Sequence, residues 1–503
     1  MPTPFDREPA LPNSRALNRL HARVLDPLRD ILLPGQNLRR TAYVPDSLLA
    51  RCDDADALAP VDEVCQSQGW RLRAAREELP AWRSTVRVSL APSEGSIVGA
   101  PDAWALLQRT RLTDPDLAGR LGLNHVLTSA PFTESAPFTE SAPFTESAPF
   151  TESAPVAAYA RPGGGGRQPV SYIGPPPARR QVSGRRPVVA VLDSGCGSHP
   201  WLTTQDDVDR SEAVVLTDVT LDGRIIGLDP TTSPDVDPDQ VGPLDGVLDT
   251  YSGHGTFSVG LVHQAAPDAQ IASWRILPPE GAMAEQELVE ALDDLAELVR
   301  RHDNGDSGGQ AIDVVSLSVG YYHELPEDPL FDAPLWASIA RLADLGVIVV
   351  CAAGNDSTSR PRYPAAFAPW DNGAGPVTWD GSRPPLVSVG ALNPNGTYDA
   401  LFNNVGPWVR AYAPGAAVLS TMPTNFQGGL EPRARLMAGN RRRAAIDPDD
   451  YSGGFALWSG TSFAAPIVAG RIAAAMASGA DDPDLRRTQA VGVVAKVTGV
   501  LSQ

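Results

Sequence analysis

Apolar positions change their rhythm along this chain of 503 residues, and the change divides it. Near the N-terminus they follow helical spacing: Leu17, Leu20, Val24, Leu28 and Ile31 recur at three- and four-residue steps. That predicts an amphipathic helix capped by Ser14, kinked at Pro27 and ended by Pro34-Gly35. Shorter elements follow: a strand near Ala42-Tyr43-Val44, a helix from Val61 to Gln68, strands from Arg71 to Arg76 and Thr85 to Leu90, a helix from Pro101 to Arg111, and a strand at His125-Val126-Leu127. The order β-α-β-β-α-β is that of a small ferredoxin-like α+β sandwich. From residue 187 the texture differs. Apolar, β-rich runs at Val188 to Leu192, Ile312 to Val319, Val347 to Cys351 and Leu386 to Val389 alternate with helical stretches at Glu285 to Arg301 and Leu335 to Leu345. Strands this apolar are buried on both faces, so right-handed crossovers build a doubly wound, mostly parallel α/β domain whose functional groups gather at the carboxyl ends of the strands.

Between the two textures, residues 129–152 are four copies of Ser-Ala-Pro-Phe-Thr-Glu, followed by Gly163 to Gly166 and Pro175-Pro176-Pro177. Recurrent proline with no second apolar layer cannot bury enough surface to offset the entropy of ordering. Residues 129–186 therefore read as a disordered spacer, open to nicking, between an N-terminal domain at 1–128 and a larger domain at 187–503.

Composition sharpens this division. With 42% hydrophobic and 20% charged residues the chain is globular, and its charge of −19 comes from 60 acidic and 41 basic side chains. Residues 187–503 hold 40 of the acidic and only 19 of the basic groups. A domain of that sign repels nucleic acid and anionic membrane surfaces, so neither is expected as a partner. The first 25 residues lack the apolar core of a secretory signal, and no run of about 18 apolar residues occurs, which makes the chain a soluble, cytoplasmic one by expectation. Four scattered cysteines, Cys52, Cys65, Cys196 and Cys351, form neither a disulfide scaffold nor a C-x-x-C zinc pair.

Three polar residues fall where a doubly wound sheet places its chemistry. Asp193 follows Val188-Val189-Ala190-Val191-Leu192 in D-S-G; His254 lies in S-G-H-G-T; Ser462 opens a helix of small residues in G-T-S-F-A-A-P. They supply an orienter, a base and a nucleophile, and the helix start offers free N–H groups to a developing oxyanion. Asn355, in A-A-G-N at the end of another strand, is placed as a side-chain donor to the same oxygen.

These blocks resemble those of the subtilisin-like serine proteases, the subtilases, in order and in element, from about Pro187 to the C-terminus. The resemblance also covers S-L-S-V-G at Ser316 to Gly320, V-S-V-G-A-L at Val387 to Leu392 and V-G-P with A-P-G between Val405 and Gly415. It implies a serine endopeptidase acting on protein or peptide substrates, with Ser462 attacking, His254 carrying the proton, Asp193 holding the imidazole, and Asn355 with the Ser462 amide forming the oxyanion hole. Ser318, Val319 and Gly320, with Ala352, Ala353 and Gly354, would pair with an extended substrate and wall its specificity pocket. Family propeptides share the β-α-β-β-α-β order, so the N-terminal domain is expected either to inhibit in cis or to recruit a partner. No cofactor is required, and although family members often bind calcium, no metal ligand transfers residue by residue. Asp235-Val236-Asp237-Pro238-Asp239 begins like a calcium loop but lacks its glycine and closing glutamate, and reads as a solvated acidic loop. The stretch Phe426 to Asp450, with Arg441-Arg442-Arg443, reads as an exposed insertion. The competing class is a catalytically silent binding or scaffold protein on the same fold, against which the intact set of four polar residues argues.

Overall fold

The computed structural model describes residues 7–51, 59–74, 79–95, 99–129, 166–325, 333–370, 375–476 and 478–501. Most of the hexapeptide repeats and Gly163 to Gly165 lie outside them. In the N-terminal part, α1 (Ser14–Arg19) and β1 (Arg23–Val24) precede β2 (Ala42–Arg51), α2 (Ala59–Ser67), β3 (Trp70–Ala74), β4 (Thr85–Pro92), α3 (Ala103–Thr113), α4 (Pro115–Ala118) and β5 (Leu121–Ser129). The sheet runs β5-β2-β4-β3 with every pair antiparallel, the ferredoxin-like arrangement that the element order implied.

The first helix is shorter than its periodicity predicts. It starts from an Asn13 cap and stops at Arg19, after which His21 takes a positive φ of 48° and Arg23–Val24 pair with β2. Strand pairing and burial of Leu25 win over continued helix, and Leu28 is left 93% exposed. Residues 14–31 thus contribute one turn and a half of helix and an edge strand rather than an amphipathic rod.

From residue 166 the elements are β6 (Gln168–Pro169), β7 (Val188–Asp193), β8 (Val215–Leu216), α5 (His254–Ala265), β9 (Gln270–Arg275), β10 (Ala282–Ala284), α6 (Glu285–Asn304), β11 (Val314–Leu317), β12 (Val319–Tyr322), α7 (Ala333–Asp344) and β13 (Ile348–Ala352). They continue as β14 (Arg362–Tyr363), β15 (Val387–Leu392), β16 (Ala411–Pro414), β17 (Val418–Thr421), β18 (Arg435–Ala438), β19 (Arg441–Ala444), β20 (Phe455–Trp458), α8 (Thr461–Met476) and α9 (Pro483–Thr498). Seven strands form one parallel sheet in the order β16-β15-β13-β11-β7-β9-β8. Leu192, Val315 and Val349 pack on one face with Leu292 and Leu295 of α6 and Ile339 of α7. On the other, Val191, Val314 and Val350 pack with Val259 and Val262 of α5 and Val468 of α8. The insertion after Phe426 carries the hairpin β18–β19, whose eight strand residues are all exposed.

The N-terminal sheet lies on α6 and α7. Ser84 Oγ donates to Asp293 at 2.8 Å, Trp82 Nε1 to Asp294 at 2.9 Å, and the buried Arg83 guanidinium pairs with Asp294 at 3.1 Å. Beyond that face, β5 reaches between β10 and β12 and pairs antiparallel with both.

Residues 166–186 depart from the expected disordered spacer. Gln168–Pro169 add a strand to β20. Tyr172 packs on Trp201 and Phe455, with ring centroids 5.0 Å apart in each case. Arg180 pairs with Asp268 at 2.6 Å and Arg185 with the buried Asp313 at 2.7 Å. Proline and glycine content suggested disorder, but the arginines find carboxylates and carbonyls on the larger domain and the lone aromatic finds a hydrophobic seat. A chain beginning at residue 166 should therefore melt roughly 5–10 °C above one beginning at residue 187, measured by differential scanning calorimetry; equal melting temperatures would mean that the segment adds nothing to the fold.

Candidate active site

Asp193 is the last residue of β7, and burial forces its carboxylate to find partners there. Its Oδ1 lies 2.6 Å from His254 Nδ1 and accepts the Ser194 N–H at 2.7 Å, while Oδ2 accepts the Ser258 hydroxyl at 3.2 Å. His254 is the first residue of α5 and is buried, with the Trp458 ring edge-on at 5.6 Å and Phe463 tilted against it at 5.1 Å. With Nδ1–H given to Asp193, the ring presents Nε2 as an acceptor. That atom and Ser462 Oγ are both buried, and neither has a hydrogen-bond partner among the described residues. Such contacts are often open before substrate arrives.

Ser462 is the second residue of α8, where backbone N–H groups lack helical acceptors. Its carbonyl accepts the Ser318 hydroxyl at 3.1 Å. Thr461 ties this helix start to the neighbouring strand end: its N–H and hydroxyl donate to Asn355 Oδ1, each at 2.9 Å, and its oxygen accepts the Gly354 N–H at 3.0 Å. Since Oδ1 of Asn355 is committed to Thr461, the amide turns its nitrogen the other way. Asn355 lines a cavity of about 490 Å³ bounded by Tyr251, Gly281, Asp356 and Ser129 at the end of β5.

The segments expected to pair with substrate are engaged with the chain itself. Val319 faces Ser129 and Gly320 faces Thr128 across β12 and β5, and the Ser129 N–H donates to the Gly281 carbonyl at 3.0 Å. Ala353 O accepts the Asn404 amide at 2.9 Å, and Ala352 closes β13. Glycine at 320 is required by β14, since a Cβ would stand 2.5 Å from the Tyr363 carbonyl. Gly354 has φ of +106°, and a Cβ there would meet Asn404 Nδ2 at 2.4 Å.

Two residues that brace the site were not singled out by sequence. Asp235, expected in a solvated loop, is buried instead. Its carboxylate accepts the Ser194 hydroxyl at 2.5 Å and the Thr256 N–H at 2.7 Å, and Ser194 in turn accepts the Gly255 N–H at 2.8 Å. The end of β7 is thereby locked to the start of α5. The loop's acidity concealed this: of its three aspartates only Asp237 is exposed, and Asp239 is half-buried. Arg167, also buried, donates to the carbonyls of Ser252 and Asp249 just before His254, and its guanidinium lies 5.1 Å from the centre of the Trp458 ring. Nothing in a glycine-rich tract signals such a wedge.

Burial raises the thiols of Cys196 and Cys351 well above their ordinary value, so neither serves as a thiolate nucleophile. Burial lowers His199 and His263 to about 4, leaving both neutral near pH 7. Within the acidic triplet, Asp235 is spent on Ser194 and Thr256, and Asp239 Oδ2 accepts the Gly246 N–H at 2.6 Å. No helix among the described residues is long and apolar enough to cross a membrane.

A model of the subtilase family, Peptidase_S8, matches residues 184–491. The intracellular serine protease of Paenibacillus polymyxa is 25% identical over 314 residues, 60% of this chain and 71% of that protein. The major intracellular serine protease of Bacillus subtilis (strain 168) is 26% identical over 265 residues, 50% of this chain and 64% of its own length. The solved structure of fervidolysin from Fervidobacterium pennivorans, described as a keratinolytic enzyme related to subtilisin, aligns with 88% of this chain and 55% of its own at 18% identity and a TM-score of 0.44.

Burial raises Asp235 to about 6, an effect that the bonds from Ser194 and Thr256 only partly offset and that the Asp193 charge reinforces. The folded chain then keeps this proton where the unfolded chain has lost it. Its contribution to stability is greatest below the ordinary carboxylate value and falls as pH rises from about 4 to about 6. Relative to Asp235→Asn, which cannot ionise, the parent should lose several degrees of melting temperature across that window, and a difference that does not vary with pH would mean that Asp235 does not titrate there.

Proposed function

This chain belongs to the subtilase family of serine proteases, and we propose that it is an endopeptidase whose nucleophile is Ser462 and which its own N-terminal region holds latent. The observation that carries the first part is the buried Asp193–His254 contact of 2.6 Å, with His254 Nε2 and Ser462 Oγ each buried and without a hydrogen-bond partner among the described residues. Ser462 Oγ attacks the scissile carbonyl and passes its proton to Nε2, which returns it to the leaving amine. Asp193 keeps Nδ1 protonated and the ring oriented, and the resulting acyl-enzyme is released by water. Asn355 Nδ2 and the Ser462 N–H receive the negative charge that develops on the carbonyl oxygen. A purely binding role is not favoured, since it makes no use of an imidazole pinned on one side and open on the other. The substrate is protein or peptide, and the relatives' names point to an intracellular setting.

The second part rests on β5. Its residues Thr128 and Ser129 pair with Gly320 and Val319, the backbone an extended substrate would use, and Ala282 flanks Thr128 on the other side. Arg362 adds a bond from its guanidinium to the Thr128 carbonyl. Inhibition in cis is therefore favoured over recruitment for the region before residue 130. With β6 and Arg167 integral to the larger unit, activation requires a cut between 130 and 165, not near residue 187.

Ser462→Ala should abolish peptide hydrolysis without altering melting; retained turnover in the purified variant would remove Ser462 from the mechanism. Asn355→Ala should lower kcat by about a hundredfold or more at nearly constant KM, because its donor meets the oxygen mainly in the transition state. A raised KM at normal kcat would make it a binding residue instead. Nicking between 130 and 165, with removal of the N-terminal piece, should raise kcat/KM on a small peptide by about a hundredfold, since a tethered strand acts at an effective concentration of roughly millimolar. Equal rates before and after would leave recruitment as the role.

A further inference from the structure

Away from Ser462, one set of metal-type donors converges among the described residues. His125, His323 and Glu324 are buried, and their ligand atoms all lie within 4.8 Å of one another. His125 belongs to β5, and the other two follow β12, so the set spans the junction between the blocking strand and the protease. We propose that this is a zinc site that fastens β5 in place, with His125 Nε2, a ring nitrogen of His323 and the Glu324 carboxylate as ligands.

The argument starts from His125. Its Nδ1 is 2.6 Å from Glu285 Oε2, and its Nε2 is 2.9 Å from Glu324 Oε2. A neutral imidazole has one N–H, so it can donate to only one of these carboxylates. With that proton given to Glu285, the Nε2 lone pair and the Glu324 oxygen face each other inside the protein, an arrangement that a cation between them relieves. The ring is also held: Tyr321 stacks on it at 4.0 Å with planes 15° apart. A carboxylate that accepts the second N–H of a histidine is the usual support of a metal ligand, and Glu285 occupies that place.

The remaining donors suit the same ion. His323 Nδ1 lies 3.7 Å from Glu324 Oε2. With zinc bonds of about 2.0–2.2 Å to N and O, neighbouring ligands in a tetrahedron stand roughly 3.4 Å apart, and the two distances of 2.9 and 3.7 Å bracket that value. His323 Nδ1 also accepts the Leu325 N–H at 3.1 Å, a bond that yields if the ion takes that nitrogen rather than Nε2. Two imidazoles and a carboxylate suit zinc, whereas calcium takes six to eight oxygens. Two neutral rings, Glu285, Glu324 and a divalent ion also sum to zero charge, which the interior favours. The second Glu324 oxygen or a water supplies the fourth ligand.

The fastening role rests on the cis-blocking reading above; binding of the ion does not. The test uses the full chain carrying Ser462→Ala, so that it cannot cut itself, stripped with a chelator and titrated with Zn²⁺ by isothermal calorimetry. One zinc per chain is expected, lost in His125→Gln and in Glu324→Gln, and weakened about 10–100-fold in Glu285→Gln, which removes only the outer support. Co²⁺ bound to the unsubstituted cluster should give the intense visible absorption of a tetrahedral ion, a readout that does not depend on any cluster variant folding. Absence of stoichiometric zinc in a chain that melts cooperatively, or zinc retained in full by His125→Gln, would overturn the site and leave His125 as an imidazolium between two carboxylates. Stoichiometric zinc in a chain whose wild-type form hydrolyses a small peptide equally fast before and after nicking would keep the site and discard the block.

Discussion

The contact between Asp193 and His254 is the constraint around which the larger unit is organised. A carboxylate and an imidazole 2.6 Å apart, both out of water, persist only if surrounding groups satisfy what the pair leaves over and hold its geometry. The parallel sheet delivers Asp193 at a strand end and α5 delivers His254 at a helix start, so their spacing depends on how the loop between β7 and α5 is anchored. Asp235 performs that anchoring through Ser194 and Thr256. Arg167 fixes the carbonyls immediately before His254 from the opposite side and lies against the same Trp458 that lies edge-on to the histidine. Ser462 is coupled in the same way, since Thr461 binds Asn355 and Gly354 and so joins the start of α8 to the end of β13.

The N-terminal region uses the same sheet chemistry to cover what it helps to shape. Its four-stranded face rests on α6 and α7 through Ser84, Trp82 and Arg83, which leaves β5 to run on between β10 and β12. Backbone pairing of this kind needs no particular side chains, and by lying along Val319 and Gly320 β5 meets what the proposed inhibition in cis requires. What makes it stay is the rest of the docked surface, with His125 buried at its centre between Glu285 and Glu324.

Legibility in the sequence followed from how strongly each feature interrupts its surroundings. Asp193, His254, Asn355 and Ser462 stand at the ends of long apolar runs, where a polar residue has few other reasons to be; Asp193 ends β7, His254 opens α5, Asn355 follows β13 and Ser462 lies in the first turn of α8. The ferredoxin-like order was readable because each of its elements carries its own periodicity. Four features were not readable. Residues 14–31 keep a helical rhythm, yet Arg23–Val24 gain more from pairing with β2, a contact that local pattern does not encode. Asp235 sits in an acidic loop that looks solvated, yet of its three aspartates only Asp237 is exposed. Arg167 and Tyr172 lie in a proline- and glycine-rich tract whose composition hides a buried wedge, and the pairing of Ser129 with Val319 joins residues 190 positions apart.

On the proposed function, one polar constellation is assembled for acyl transfer and covered by the chain's own β5. Reaction with a fluorophosphonate, followed by peptide mapping of the labelled residue, measures both halves at once. Ser462 alone should be modified, slowly in the intact chain and rapidly once the segment before residue 166 has been cut and removed. Failure of the separated, folded protease to label at Ser462, or labelling of the intact chain at the same full rate, would contradict it.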